Sequence, residues 1–218
     1  NRSKYSKSDI QFEGDNYNFT LQNVHADDKP KGWHIDYINP ARMTIPQTNF
    51  RIGYYIKDNY QVSFGVDHMK YVVTRPQNVR IDGVIDFDGF EQGDTSYNGN
   101  YNNDIINLID TKNDDGDPLF FEFEHTDGLN YVNIEIARVD DLGKYLNLNP
   151  KKLQINLLEG FGIGGLYPKT NATIIGKERN DEFKWAGYGV SAKAGLGFVF
   201  FNHLQIQTEL KGGFINMP

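Results

Sequence analysis

The chain has 218 residues, enough for one closed domain, and its 15 Phe, 13 Tyr and 22 Gly favour strands and turns over helices. A net charge of -7 excludes the basic footprint of a nucleic-acid binder, so no nucleic-acid partner is expected. The absence of cysteine excludes disulfides, thiolate catalysis and cysteine-based zinc sites.

No run approaches the roughly 18 apolar residues of a membrane helix. Asn1-Arg2-Ser3-Lys4 has no apolar signal core, so the chain is either a mature form or not exported. No repeat or low-complexity tract divides it, and 1–218 reads as a single domain.

Two-residue alternation of apolar and polar residues, the strand signature, marks seven stretches. The first is 15–25, with Tyr17, Phe19 and Leu21 in phase. The second, 48–57, carries Phe50, Ile52, Tyr54 and Ile56. The third, 60–73, opposes Val62, Phe64 and Val66 to Gln61, Ser63 and Asp67. The fourth, 118–138, has a phase fault: Leu119, Phe121 and Phe123 are apolar on odd numbers, but Val132, Ile134 and Ile136 on even ones. A bulge in one long strand would shift the phase, and so would a hairpin turn at Asp127-Gly128. The fifth, sixth and seventh are 152–166, 184–199 and 203–214. An eighth strand falls at 4–13, where Tyr5, Ile10 and Phe12 are weakly periodic, or beyond Pro218, the C-terminus being read as truncated.

Alternation alone fits a soluble sandwich and an inverted membrane barrel equally. Connection lengths separate them. Lys57-Asp58-Asn59 and Phe201-Asn202-His203 are tight, 26–47, 74–117 and 167–183 are long, and a single fourth strand makes short and long alternate, with 139–151 on the short side. Aromatics gather beside the tight turns, as at a membrane interface. The expectation is an all-β, antiparallel, up-and-down transmembrane β-barrel of about eight strands, with short periplasmic turns and long extracellular loops. Its interior would be filled by side chains, with Arg51, Asp67, Glu122, Glu124, Lys193, Glu209 and Lys211 as a mixed-charge lumen.

The run from Phe50 to Gly65, Phe50-Arg51-Ile52-Gly53-Tyr54-Tyr55-Ile56-Lys57-Asp58-Asn59-Tyr60-Gln61-Val62-Ser63-Phe64-Gly65, resembles small outer-membrane barrel proteins of the Bacteroidetes type. Gly195-Leu196-Gly197-Phe198 through Leu204-Gln205-Ile206 resembles them too. The likeness covers about 15–214 and is one of style, without a diagnostic motif. It implies a bacterial outer-membrane location, with outer-membrane lipid or lipopolysaccharide and other outer-membrane proteins as partners. It implies no particular activity.

Three constellations bear on chemistry. Glu124-His125-Thr126-Asp127-Gly128-Leu129-Asn130 loosely resembles the His-containing strand of outer-membrane lipid A deacylases. Here Asp127 stands where the nucleophilic Ser belongs, and a carboxylate does not replace a base-activated hydroxyl. Thr126, on a strand, faces away from His125. The 110–117 run resembles a calcium loop: Asn113, Asp115, Asp117 and Glu122 are the candidate ligands, although Thr111 fills the first loop position. His25, His34, His68, His125 and His203 lack metal-ligand spacing, and Gly160, Gly162, Gly164 and Gly165 lie on a strand, where they permit curvature. No cofactor beyond calcium is indicated. The expected function is therefore non-enzymatic, carried by long external loops or by membership of a larger outer-membrane assembly. A deacylase-like barrel enzyme using His125 and a soluble β-barrel or sandwich binding module are the alternatives.

Overall fold

The computed structural model describes residues 3–29, 49–89, 93–109 and 120–217. The fold is all-β: among the described residues, antiparallel strands and two short 3₁₀ turns, at Thr95–Tyr97 and Leu142–Lys144, account for the regular structure. The strands are β1 (Ser8–Gly14), β2 (Tyr17–Val24), β3 (Ala26–Asp27), β4 (Asn49–Lys57), β5 (Tyr60–Val73), β6 (Gln77–Ile85), β7 (Gly99–Leu108), β8 (Phe121–Asp141), β9 (Leu153–Pro168), β10 (Asn171–Ile174), β11 (Lys177–Asn180), β12 (Tyr188–Phe200) and β13 (Leu204–Asn216).

The chain clusters into two compact units. Unit 1 comprises Asn1–Gln47, Met69–Leu129 and Pro168–Lys184, and unit 2 comprises Thr48–His68, Asn130–Tyr167 and Trp185–Pro218. β5, β8 and β9 contribute residues to both.

Unit 1 holds a four-stranded antiparallel sheet in the order β1-β2-β6-β7. The beginning of β8 pairs with β10, which pairs with β11, and β3 pairs with the end of β5. The core is apolar in the ordinary sense. Phe19, Leu21, Val24, Ile81, Ile85, Leu108, Phe121 and Ile175 are at most 2% exposed. Phe12 stands edge-on to Phe121 and Phe123, at 5.3 and 5.7 Å between ring centroids, joining the four-stranded sheet to β8.

Two expectations are corrected here. The 15–25 stretch forms β2, and the 4–13 stretch falls largely on β1; both belong to this sheet and neither to a barrel wall. The 74–117 connection, expected as a loop, contains β6 and β7. The alternation of 15–25 is genuine, but it serves an apolar core that faces inward.

Unit 2 is a six-stranded meander in the order β4-β5-β8-β9-β12-β13, every neighbour antiparallel, curled into a half-barrel. The alternation of short and long connections holds for it. The turns at 58–59, 142–152 and 201–203 join β4 to β5, β8 to β9 and β12 to β13, and all three lie at one end. Backbone bonds knit them together: Val139 N–H donates to the Asn59 carbonyl at 2.9 Å, and Phe201 N–H to the Lys152 carbonyl at 3.1 Å. The connections from β5 to β8 and from β9 to β12 are long and contain strands of unit 1.

The fourth stretch is one unbroken strand of 21 residues, so there is no hairpin turn at 125–130. Gly128 takes φ +146, a conformation only glycine adopts without strain. Yet no net phase shift results. Phe121, His125 and Leu129 are buried before the fault, and Tyr131, Asn133, Glu135 and Ala137 after it, all odd-numbered. The chemistry inverts and the geometry does not. In unit 1 the buried row of β8 is chiefly apolar; in unit 2 it carries Asn133 and Glu135, while Ile134 and Ile136 point outward at 58% and 49% exposure. β5 does the same, with Ser63 and Asp67 buried in unit 2 and Tyr71 and Val73 buried in unit 1.

This inversion makes a contrast between two phenylalanines. Phe121→Ala, in the unit 1 core, should cost about 3–5 kcal/mol. Phe161→Ala, at a site 72% exposed in unit 2, should change stability by no more than about 1 kcal/mol. Chemical denaturation of the two variants in detergent checks the difference, and comparable losses would contradict the assignment of faces.

Candidate functional site

The inner face of unit 2 is polar because its strands place charged residues on one pleat face. Arg51 lies on β4, Asp67 on β5, Glu135 on β8, Lys193 on β12, and Glu209 and Lys211 on β13. In the pairing register Arg51 stands opposite Gly65, and Lys193 stands opposite Gly160 on one side and Lys211 on the other. Glycine partners leave room for long side chains to turn inward.

The six charges form a closed network. The Glu135 carboxylate, 1% exposed, meets all three cations: Arg51 at 2.8 Å and Lys193 and Lys211 at 2.6 Å each. Asp67 pairs with Arg51 at 3.1 Å and with Lys211. Glu209 pairs with Arg51 at 3.5 Å and Lys193 at 3.3 Å. Every cation meets at least two carboxylates, and three positive charges balance three negative ones. Asn133 donates its amide to Asp67 at 3.0 Å. The Lys211 ammonium lies 5.0 Å from the centroid of the Tyr131 ring, whose hydroxyl donates to the Gly189 carbonyl at 3.1 Å. Five of the six strands supply a charge, and the sixth, β9, supplies space. A Cβ on Gly162 would come within 2.8 Å of Glu135 Cγ and of Ser191 Oγ.

Of the expected lumen residues, Arg51, Asp67, Lys193, Glu209 and Lys211 are brought together. Glu122 and Glu124 are not: they lie in unit 1, paired with Arg75 at 3.4 Å and Lys29 at 3.5 Å. The member missed from sequence is Glu135, the centre of the network. Its signal was present, since it occupies the polar phase opposite Ile134 and Ile136.

The outer face of unit 2 is the reverse. Phe50, Ile52, Tyr54, Phe161, Ile163, Leu204, Ile206, Leu210 and Phe214 are between 54% and 81% exposed. A protein surface in water rarely carries a continuous apolar field of this extent.

The deacylase-like segment lies in unit 1 up to Leu129, with Asn130 in unit 2. His125 is 2% exposed, its Nδ1 3.1 Å from the Thr170 hydroxyl and its ring packed against Phe123 and Tyr71. Thr126 donates its hydroxyl to Glu124 at 2.7 Å, and Asp127 pairs with Lys169 at 3.3 Å. The three side chains are therefore engaged separately. A hydroxyl beside an imidazole begins a nucleophile–base pair, but among the described residues the other ring nitrogen, Nε2, is buried without a hydrogen-bond partner that would orient it. Burial pushes the imidazole down to about 4, against smaller upward pulls from the Lys169 backbone and Glu124, which leaves a weak base at neutral pH. For calcium, Asn113, Asp115 and Asp117 lie outside the described residues, and Glu122 pairs with Arg75. Among the described residues no group of three or more His, Asp or Glu side chains is placed to hold a metal ion.

No protein-family model matches the chain, and neither a curated protein nor a solved structure matches it.

Glu135→Gln strands buried Lys193 without its closest carboxylate and should cost about 3–5 kcal/mol, part of which Lys193→Met in the same chain should recover. Denaturation of the single and double variants reads this. His125 has a folded value near 4, below the 6.5 of an unfolded histidine, so it contributes stability above pH 6.5 that is lost as pH falls toward 4. His125→Gln should flatten that part of the stability–pH curve, and an unchanged slope would remove the buried imidazole from the account.

Proposed function

We propose that this chain is an integral β-barrel protein of a bacterial outer membrane. It acts without catalysis of its own, through the residues between its membrane strands or as a subunit of a larger outer-membrane assembly. The observation that carries the reading is the inversion in unit 2, with ion pairs inside and an exposed apolar field outside. In water this arrangement wastes both faces. In a bilayer it satisfies both, because lipid covers the apolar side chains and the charges pair away from it.

The dimensions agree. β12 and β13 are 13 residues each, more than the roughly 9–11 a tilted strand needs to cross the hydrocarbon. Three short turns at one end and long connections at the other match the periplasmic and external sides of such barrels. Exposed Tyr54, Tyr55 and Phe201 beside the short turns suit an interfacial girdle.

The reading also requires closure. Among the described residues, the outer edges of β4 and β13 have no strand partner. Hydrocarbon offers no water to unpaired backbone groups, so both edges must be paired in the membrane. Arg51 on β4 meets Glu209 on β13 at 3.5 Å, which keeps the two edges within reach of two long side chains. Two further strands occupy three strand spacings, roughly 14–15 Å, a gap of that order. Closure by two strands gives eight, the even number these barrels use. Outer-membrane lipid and lipopolysaccharide are then the immediate partners, with other outer-membrane proteins reached through the external side.

Fractionation of expressing cells tests the reading. The protein should sediment with membranes and require detergent for extraction. Recovery of intact, folded protein from the soluble fraction without detergent would overturn it.

A further inference from the structure

The short-turn end of unit 2 carries a chemistry that neither the ionic network nor the apolar field explains. The turn from β8 to β9 exposes Tyr145 at 84% and Leu146 at 57%, and the turn from β12 to β13 exposes Phe201 at 67%. The two turns are joined. Phe201 N–H donates to the Lys152 carbonyl at 3.1 Å, and the Gln154 amide donates to the Asn202 side chain at 3.0 Å and to the Pro150 carbonyl at 3.3 Å.

Phe201 is held in an unusual way. Its φ is +53 and that of Asn202 is +61, so both central residues of the turn are left-handed. Asparagine tolerates this conformation; a phenylalanine does so only at a cost. The turn leaves the Phe201 ring mostly in the open, at 67% exposure. The primed hairpin turn demands positive φ at both positions, and a bulky exposed aromatic at one of them is a reason to seek a role for the ring outside the chain.

The charges around these aromatics are mostly basic. Lys57, Arg138, Lys144, Lys151 and Lys152 lie at this end, against Asp58, Asp140 and Asp141. Arg138 is committed to Asp140 at 2.7 Å, and Asp141 accepts the Gly143 N–H at 2.8 Å. Among the described residues, no ion pair engages Lys151 or Lys152, both exposed. In a chain of net charge -7, this end is locally positive.

We propose that the short-turn end is a binding surface for anionic phospholipid headgroups. Tyr145, Leu146 and Phe201 enter the headgroup boundary, and Lys151 and Lys152 contact the phosphates. The proposal rests on the membrane reading and deepens it. It is continuous with the apolar outer face, and its charge complements an anionic leaflet. The aromatics fix the depth at which the lysines meet the phosphates.

The test uses the full chain in neutral detergent, titrated in mixed micelles with dioleoylphosphatidylglycerol or dioleoylphosphatidylcholine, with bound lipids counted by native mass spectrometry. The unaltered protein should retain phosphatidylglycerol in preference to phosphatidylcholine. Lys151→Gln with Lys152→Gln should weaken phosphatidylglycerol retention roughly ten- to thirtyfold and leave phosphatidylcholine unchanged. Phe201→Asn, which relieves the turn, should fold at least as well and weaken retention of both lipids. Lys7→Gln, in unit 1, is the control and should change nothing. Equal retention of the two lipids by the unaltered protein would overturn the proposal, as would lysine variants that bind phosphatidylglycerol undiminished. Lipopolysaccharide retained with the same lysine dependence and in preference to phosphatidylglycerol would overturn the assignment to phospholipid. A chain that stays folded and monodisperse without detergent would instead overturn the membrane reading beneath it, an outcome distinct from loss of lipid preference.

Discussion

Six charges enclosed by a curled sheet set the terms for unit 2. A buried charge is tolerated only when it is paired, because removal from water costs several kcal/mol per ion. Glu135 is nearly inaccessible and meets three cations, so the positions of β4, β8, β12 and β13 are tied to one carboxylate. The sheet must curl far enough for Arg51 and Lys211, on its two ends, to reach a common partner. The glycines of β9 permit that curl and leave the volume the side chains fill. The outer apolar face follows from the same arrangement: with the polar phase turned inward, the other phase has nowhere to go but out.

The strands that run through both units carry two opposite side-chain arrangements on one backbone. β5 and β8 keep the same residues of the pleat buried along their whole length, yet the buried side chains change from polar to apolar between the units. Unit 1 is built as a water-soluble protein is, around Phe12, Phe19, Phe121 and their neighbours. Unit 2 is built the other way round. Strand geometry is indifferent to which phase is apolar; the surroundings decide.

Much of this was legible in the sequence. The alternation of 48–57, 60–73, 152–166, 184–199 and 203–214 and the tight turns at 58–59 and 201–203 could be read from residue order, whereas 125–130 fitted a bulged long strand and a hairpin turn alike, and the structure shows the single strand. Five of the six charges in the network fell on the polar phase of recognised strands. Three things were hidden. The alternation of Tyr17, Phe19 and Leu21 looks the same as that of Phe50, Ile52 and Tyr54, because a two-residue period carries no information about which side is wet. The fault near Gly128 is where the buried row of β8 turns from apolar to polar, and the inverted pattern resembles a bulge for that reason. It also diverted attention from Glu135 to Glu122 and Glu124, which lie on the opposite phase and in the other unit. The His125 segment resembled a catalytic strand in its residue types, but pairing with the half-buried Thr170 hydroxyl and enclosure by aromatic rings depend on β8 meeting distant parts of the chain, which spacing does not encode.

The central claim is that unit 2 turns its apolar face to lipid and its charges to a lumen. The chain has no cysteine, so single cysteines introduce spin labels without background. Labels at Ile134, Ile163 and Leu210 sample the outer face, and labels at Ser63 and Ser191 the inner one. In reconstituted bilayers the account predicts that the outer labels collide freely with molecular oxygen, which dissolves in hydrocarbon, and are shielded from a water-soluble nickel chelate, while the inner labels lack that oxygen access. Outer labels reached by the chelate as readily as any exposed loop would contradict it.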